Sequence, residues 1–80
     1  MLFLLEYNRE KGQLVNFTQF DDSQTSAADD TRLALEISLN RRGIIHEVVL
    51  LDAATEEDLR RTHRRYFADI KELASKETAA

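Results

Sequence analysis

Hydrophobic positions recur along this chain with two different periods, and the changes of period divide it into elements. Residues 44–51 read Ile-Ile-His-Glu-Val-Val-Leu-Leu, with Gly43 before them and Asp52 after. This is the densest β-branched and aliphatic stretch, and an apolar run between such breakers predicts a strand buried on both faces. Two more strands are predicted over residues 2–7 and 13–20. They are joined by Asn8-Arg9-Glu10-Lys11-Gly12, a polar segment whose final glycine suits a hairpin loop with a residue at positive φ. In the first strand Phe3, Leu5 and Tyr7 share one face and Leu2 and Leu4 the other, so it is expected to be central. In the second, Val15 and Phe17 are expected on one face and Leu14 and Phe20 on the other. Asn16, Thr18 and Gln19 dilute it, as suits a strand nearer an edge.

The period then lengthens. Residues 21–26 are a polar connector, and Ser26 with Asp29 three positions on fits a capping pattern. Asp29 and Asp30 would occupy the first turn and Arg41 and Arg42 the last, both favoured by the helix dipole, with Gly43 as terminator. A helix is therefore predicted over residues 27–42. Leu33, Leu35, Ile37 and Leu39 also alternate with Ala34, Glu36 and Ser38, the period of a strand. Helix is preferred because leucine, alanine, arginine and glutamate favour it and both ends carry helix punctuation. On that helix Asp29, Glu36 and Asn40 define the polar stripe, so the wide apolar arc implies contact on more than one side. Thr55 and Asp58 make a second capping box, with Glu56, Glu57 and Asp58 in the first turn. Behind it Leu59, His63, Tyr66, Phe67, Ile70, Leu73 and Ala74 fall on one helical face.

The order β-β-α-β-α predicts a small α+β domain over residues 1–74 and a frayed tail over 75–80. Its sheet is expected to be three-stranded, mainly antiparallel, in the order 2-1-3, packed against two helices. Two helices on one face would leave apolar residues of strands one and three without cover on the other. One helix on each face would cover both sets within a monomer. On the first arrangement Leu2, Leu4, Ile45, Val49 and Leu51 are candidate interface residues for self-association.

Composition narrows the chemistry. Eighty residues make one domain, and such a domain buries only roughly 60% of its unfolded surface, so packing against a partner would add to its stability. The chain has no cysteine, which removes disulfides, thiolate metal sites and cysteine nucleophiles. Its net charge of −4 gives no overall attraction to nucleic acid or an anionic membrane. The first residues lack a basic region and a long apolar core, and no run approaches the ~18 apolar residues of a spanning helix. These features favour a cytoplasmic protein without membrane partners.

Candidate functional residues are few. His46, His63 and Glu47 carry metal-binding groups without a metal-site spacing, so neither a metal nor another cofactor is expected. Arg60, Arg61, Arg64 and Arg65 fall on the helix face opposite the apolar stripe and are candidate nucleic-acid contacts. The pairs Glu56–Arg60, Glu57–Arg61 and Arg65–Asp69 offer the competing reading of a solvated, self-neutralised face. The carboxylates cluster where helices begin, and no phosphate loop, dinucleotide fingerprint or nucleophile elbow occurs. The expectation is a non-enzymatic interaction module that pairs with itself or another protein. RNA or DNA binding through the arginine face is the alternative.

Overall fold

The computed structural model describes residues 1–67. In chain order they form β1 (Leu2–Asn8), β2 (Gln13–Phe20), a 3-10 turn (Asp22–Gln24), α1 (Thr25–Arg41), β3 (Glu47–Asp52), α2 (Glu56–Thr62) and α3 (Arg64–Phe67). The sheet runs β2-β1-β3 with both pairings antiparallel. This is the expected α+β domain. Ile70, Leu73 and Ala74 of the expected helical stripe, Asp69 of the expected ion pair, and the tail 75–80 lie outside the described residues.

β1 is central because both of its faces are apolar. Phe3 and Leu5 are fully buried on one face, and Leu4 is buried on the other. The Phe3–Leu5 face meets Leu59, Tyr66 and Phe67 from α2 and α3, with Val49, Leu51, Leu14 and Phe17 beside them. Its aromatic rings interlock: Phe17 lies 5.7 Å from Phe3 and 5.8 Å from Phe67, and Tyr7 meets Tyr66 edge-on at 5.3 Å. Offset and edge-on pairs place ring edges against ring faces, which favours them over flat sandwiches. The Leu4 face carries α1, which packs on β3 and β1 and buries Ala28 and Leu39. The helices therefore lie on opposite faces, and β1 is enclosed within one chain.

β2 departs from strict alternation. Its register against β1 shifts between Glu6 and Tyr7, so Glu6 faces Asn16 while Tyr7 faces Leu14. Val15 is the extra residue of this β-bulge and is 53% exposed. The extra residue inverts the face assignment on one side of it. Leu14 and Phe17 consequently share the α2–α3 core, where alternation alone predicts opposite faces.

Local signals set the helix ends. The Asp21 N–H donates to Gln24 Oε1 at 2.9 Å, so the first cap precedes the expected Ser26–Asp29 box and α1 continues directly from the 3-10 turn. At the other end Gly43 N–H donates to the Asn40 carbonyl and Ile44 N–H to the Leu39 carbonyl. This is a Schellman closure with Gly43 at φ +66°. Gly12 closes the hairpin loop at φ +64°. Thr55 caps α2 by accepting the Asp58 N–H at 3.1 Å, as its capping box predicts.

Two expected elements are shorter than their hydrophobic runs. Residues 44–46 lead into β3 without joining it, and β3 is a half-buried edge strand rather than one enclosed on both faces. The last helix breaks at His63, whose backbone sits at φ −124°, ψ 51°. His63 is half-buried, with Nδ1 2.9 Å from Thr62 Oγ1 and its ring stacked near Tyr66. The break still delivers Leu59, Tyr66 and Phe67 to one core.

The glycine closing α1 is open to a direct test. A Cβ at Gly43 would meet nothing within 4 Å, so its cost is that of the left-handed backbone alone. Gly43→Ala is expected to lower stability by about 1–2 kcal/mol. Urea denaturation measures the change.

Candidate functional site

Alternation along β1 places Glu6 on the same face as Leu2 and Leu4, a carboxylate among apolar side chains. Glu6 is buried, and its Oε2 lies 2.5 Å from Nδ1 of His46. A buried carboxylate without a partner is costly, and His46 removes that cost from 40 residues away. Among the described residues no buried side-chain nitrogen or oxygen lacks a hydrogen-bond partner. With Nδ1 engaged, Nε2 is the ring nitrogen left for further contacts.

His46 also lies where two open depressions meet. One, of about 370 Å³, runs between Glu36, Leu39 and Asn40 of α1 and Ile44, His46 and Val48. The other, of about 490 Å³, is bounded by Arg9 and Glu10 of the hairpin loop and by Glu47. Ile45 borders both and is 94% exposed.

α1 carries further exposed apolar residues. Ala28, Leu35 and Leu39 mark the side of α1 turned to the sheet. Glu36 and Asn40 border the depression. At 100° per residue, Leu33 and Ile37 come next around the helix beyond Glu36 and Asn40. They are 52% and 44% exposed. Leu33 and Ile37 therefore lie on the outer side of α1, beyond the rim of the depression that Ile45 borders.

On the opposite face, Glu47 is a hub of polar contacts. Its Oε2 accepts from Arg65 Nη2 at 2.7 Å and from the Tyr66 hydroxyl, while Arg9 approaches Oε1 at 3.8 Å. Burial, and then the hydrogen bond to Glu47, push the Tyr66 phenol above its ordinary range. Arg65 also stacks over the Tyr66 ring at 4.4 Å. Arg60 pairs with Glu56 at 3.1 Å and lies over the Phe67 ring. Arg61 pairs with Asp58 at 2.6 Å, three residues away, where the four-residue spacing to Glu57 was expected. Arg64 is exposed. Three of the four candidate nucleic-acid contacts thus already hold carboxylates of their own chain.

No family model matches the chain, and no curated protein or solved structure matches it. Among the described residues no group of three or more histidine, cysteine, aspartate or glutamate side chains is placed to hold a metal, and no helix is long and apolar enough to cross a membrane.

The five candidate interface residues do not form one surface. Leu4 is buried on the α1 face, Val49 and Leu51 pack into the α2–α3 core, Leu2 is half-buried, and Ile45 stands in solvent. Leu33 and Ile37 were signalled by the wide apolar arc of α1, but the arc alone does not say which of its residues meet the sheet. The Glu6–His46 contact had one available signal, a carboxylate on an apolar strand face.

Two outcomes follow from these contacts. His46→Ala strands the Glu6 carboxylate and is expected to cost about 2–3 kcal/mol in urea denaturation, most of it recovered in the double variant Glu6→Leu, His46→Leu. For Tyr66, a phenol raised in the folded state binds its proton more tightly there than in the unfolded chain. Its contribution is intact below the ordinary phenol range and is lost as pH rises through the raised value. Tyr66→Phe should therefore flatten the alkaline loss of stability above about pH 10, read from denaturation midpoints against pH.

Proposed function

We propose that this chain is a small protein-interaction module that associates with a second copy of itself through the flank formed by β3 and the outer side of α1. The observation that carries this reading is the distribution of exposed large apolar residues. Leu33 and Ile37 are exposed on the outer side of α1, and Ile45 is exposed at the rim of the depression between α1 and β3. Scattered apolar residues are ordinary on a soluble domain, whereas a contiguous group marks a docking surface.

The sheet faces themselves offer less, since α1 covers one and α2 with α3 the other. The arginine face also offers less for RNA or DNA, because Arg60, Arg61 and Arg65 are engaged with Glu56, Asp58 and Glu47. A phosphate would have to displace a carboxylate already in place. A second copy, in contrast, brings an apolar surface matched to the flank, and two-fold pairing is the commonest way for a small domain to close one. Burial there would add to the modest core of an 80-residue chain.

Sedimentation equilibrium at micromolar concentration tests the reading. The expected mass is twice the 9.2 kDa of one chain. The double variant Leu33→Glu, Ile37→Glu should sediment as a monomer with its circular dichroism unchanged, because both side chains are exposed. A wild-type mass of 9.2 kDa across the accessible range rejects self-association.

A further inference from the structure

We infer that the two copies join edge to edge, β3 pairing antiparallel with the β3 of the second copy about a two-fold axis at Val49, so that the three-stranded sheets merge into one. This inference rests on the self-association reading and specifies its geometry.

The two edges of the sheet differ in how they are protected. β2 carries a bulge at Val15 and the polar residues Gln13, Asn16, Thr18 and Gln19. Bulges and polar side chains are how edge strands resist pairing with other chains. β3 has neither across Val48-Val49-Leu50-Leu51, and its register with β1 runs without a shift. Residues 47–51 are all half-buried, which leaves apolar surface in contact with water along that edge.

The backbone shows which groups have no strand partner among the described residues. Met1 and Ala53 exchange both of their hydrogen bonds, Met1 N to the Ala53 carbonyl at 3.0 Å and Ala53 N–H to the Met1 carbonyl at 3.0 Å. They continue the β1–β3 register, which pairs Leu2 with Asp52 and Leu5 with Val49. In an antiparallel ladder hydrogen-bonded and non-hydrogen-bonded pairs alternate. Glu47, Val49 and Leu51 therefore turn their N–H and C=O groups toward β1. Val48 and Leu50 turn theirs outward, to the edge that no described strand pairs with. An extended strand is the partner that satisfies such a row.

A second β3 fits that requirement in a particular register. A two-fold axis perpendicular to the sheet keeps each side chain on its own face, so opposed residues must share parity. Centring the axis on Val49 sets Val49 against Val49 and Val48 against Leu50. The outward groups of Val48 and Leu50 then meet each other as hydrogen-bonded pairs. Glu47 faces Leu51 and not a second carboxylate, so no like charges oppose. Both copies of α1 fall on the same side of the joined sheet.

The absence of cysteine makes the register testable by cross-linking. A non-hydrogen-bonded pair holds its Cα atoms roughly 4.5 Å apart, within the range a disulfide spans. Val49→Cys is expected to form a covalent dimer on mild oxidation, whereas Val15→Cys, on the bulged edge, stays monomeric in the same gel. In the wild-type protein the amides of Val48 and Leu50 should exchange with solvent at least tenfold more slowly as concentration is raised through the association range. Fast exchange of both amides in a protein that sediments as a dimer overturns strand pairing and leaves self-association standing. Slowed exchange without cross-linking of folded Val49→Cys overturns the Val49 register. A monomer at every concentration overturns both this inference and the reading beneath it.

Discussion

The fold depends on one strand having to bury two faces. β1 presents Phe3 and Leu5 on one side and Leu4 on the other, and none of these side chains keeps appreciable contact with water. A three-stranded sheet supplies no second sheet to pack against, so each face needs a helical layer. α1 covers one face, and α2 with α3 covers the other. The crossover through α1 is what returns the chain to the far side of β1 as β3. Each flanking element is thereby assigned a position by the strand it must cover.

Glu6 carries the consequences of that enclosure furthest. Any residue at its position on β1 is taken out of water, and this one is a carboxylate. The His46 imidazole answers it, which ties the segment after Gly43 to the centre of the sheet. The Schellman closure at Leu39, Asn40, Gly43 and Ile44 fixes the other end of that segment. Between these two anchors residues 44–46 join no strand, and Ile45 stands in solvent.

The same economy shapes the polar surface. Glu47 sits at the start of β3 and gathers Arg65, Tyr66 and Arg9, joining the last helix to the sheet and to the hairpin loop. Of the arginines that a helical projection places together in solvent, Arg60, Arg61 and Arg65 each meet a nearby carboxylate, and Arg60 and Arg65 also an aromatic ring. Each such surface pair is worth only about 0–1 kcal/mol, and stacking of a planar guanidinium on a ring adds to it. What reads as a basic face is largely a set of internal pairs.

Much of the architecture was legible in the residue pattern, because period and punctuation are local. Apolar residues two apart predicted β1, Gly12 and its polar neighbours the hairpin, and Gly43 the end of α1. Thr55 and Asp58 predicted the start of α2, and the order of elements led to the 2-1-3 sheet. The bulge at Val15 was hidden, since an extra residue is defined by its neighbour strand and not by its own sequence. The break at His63 was hidden too, because its helical face continued unbroken on paper. Pairing of Glu6 with His46, the splitting of the helices between two faces, and the choice of Leu33 and Ile37 as the exposed large apolar residues of α1 were decided in three dimensions. Each depends on which distant surface a side chain meets, and a one-dimensional pattern records that a residue is apolar or charged but not what comes to cover it.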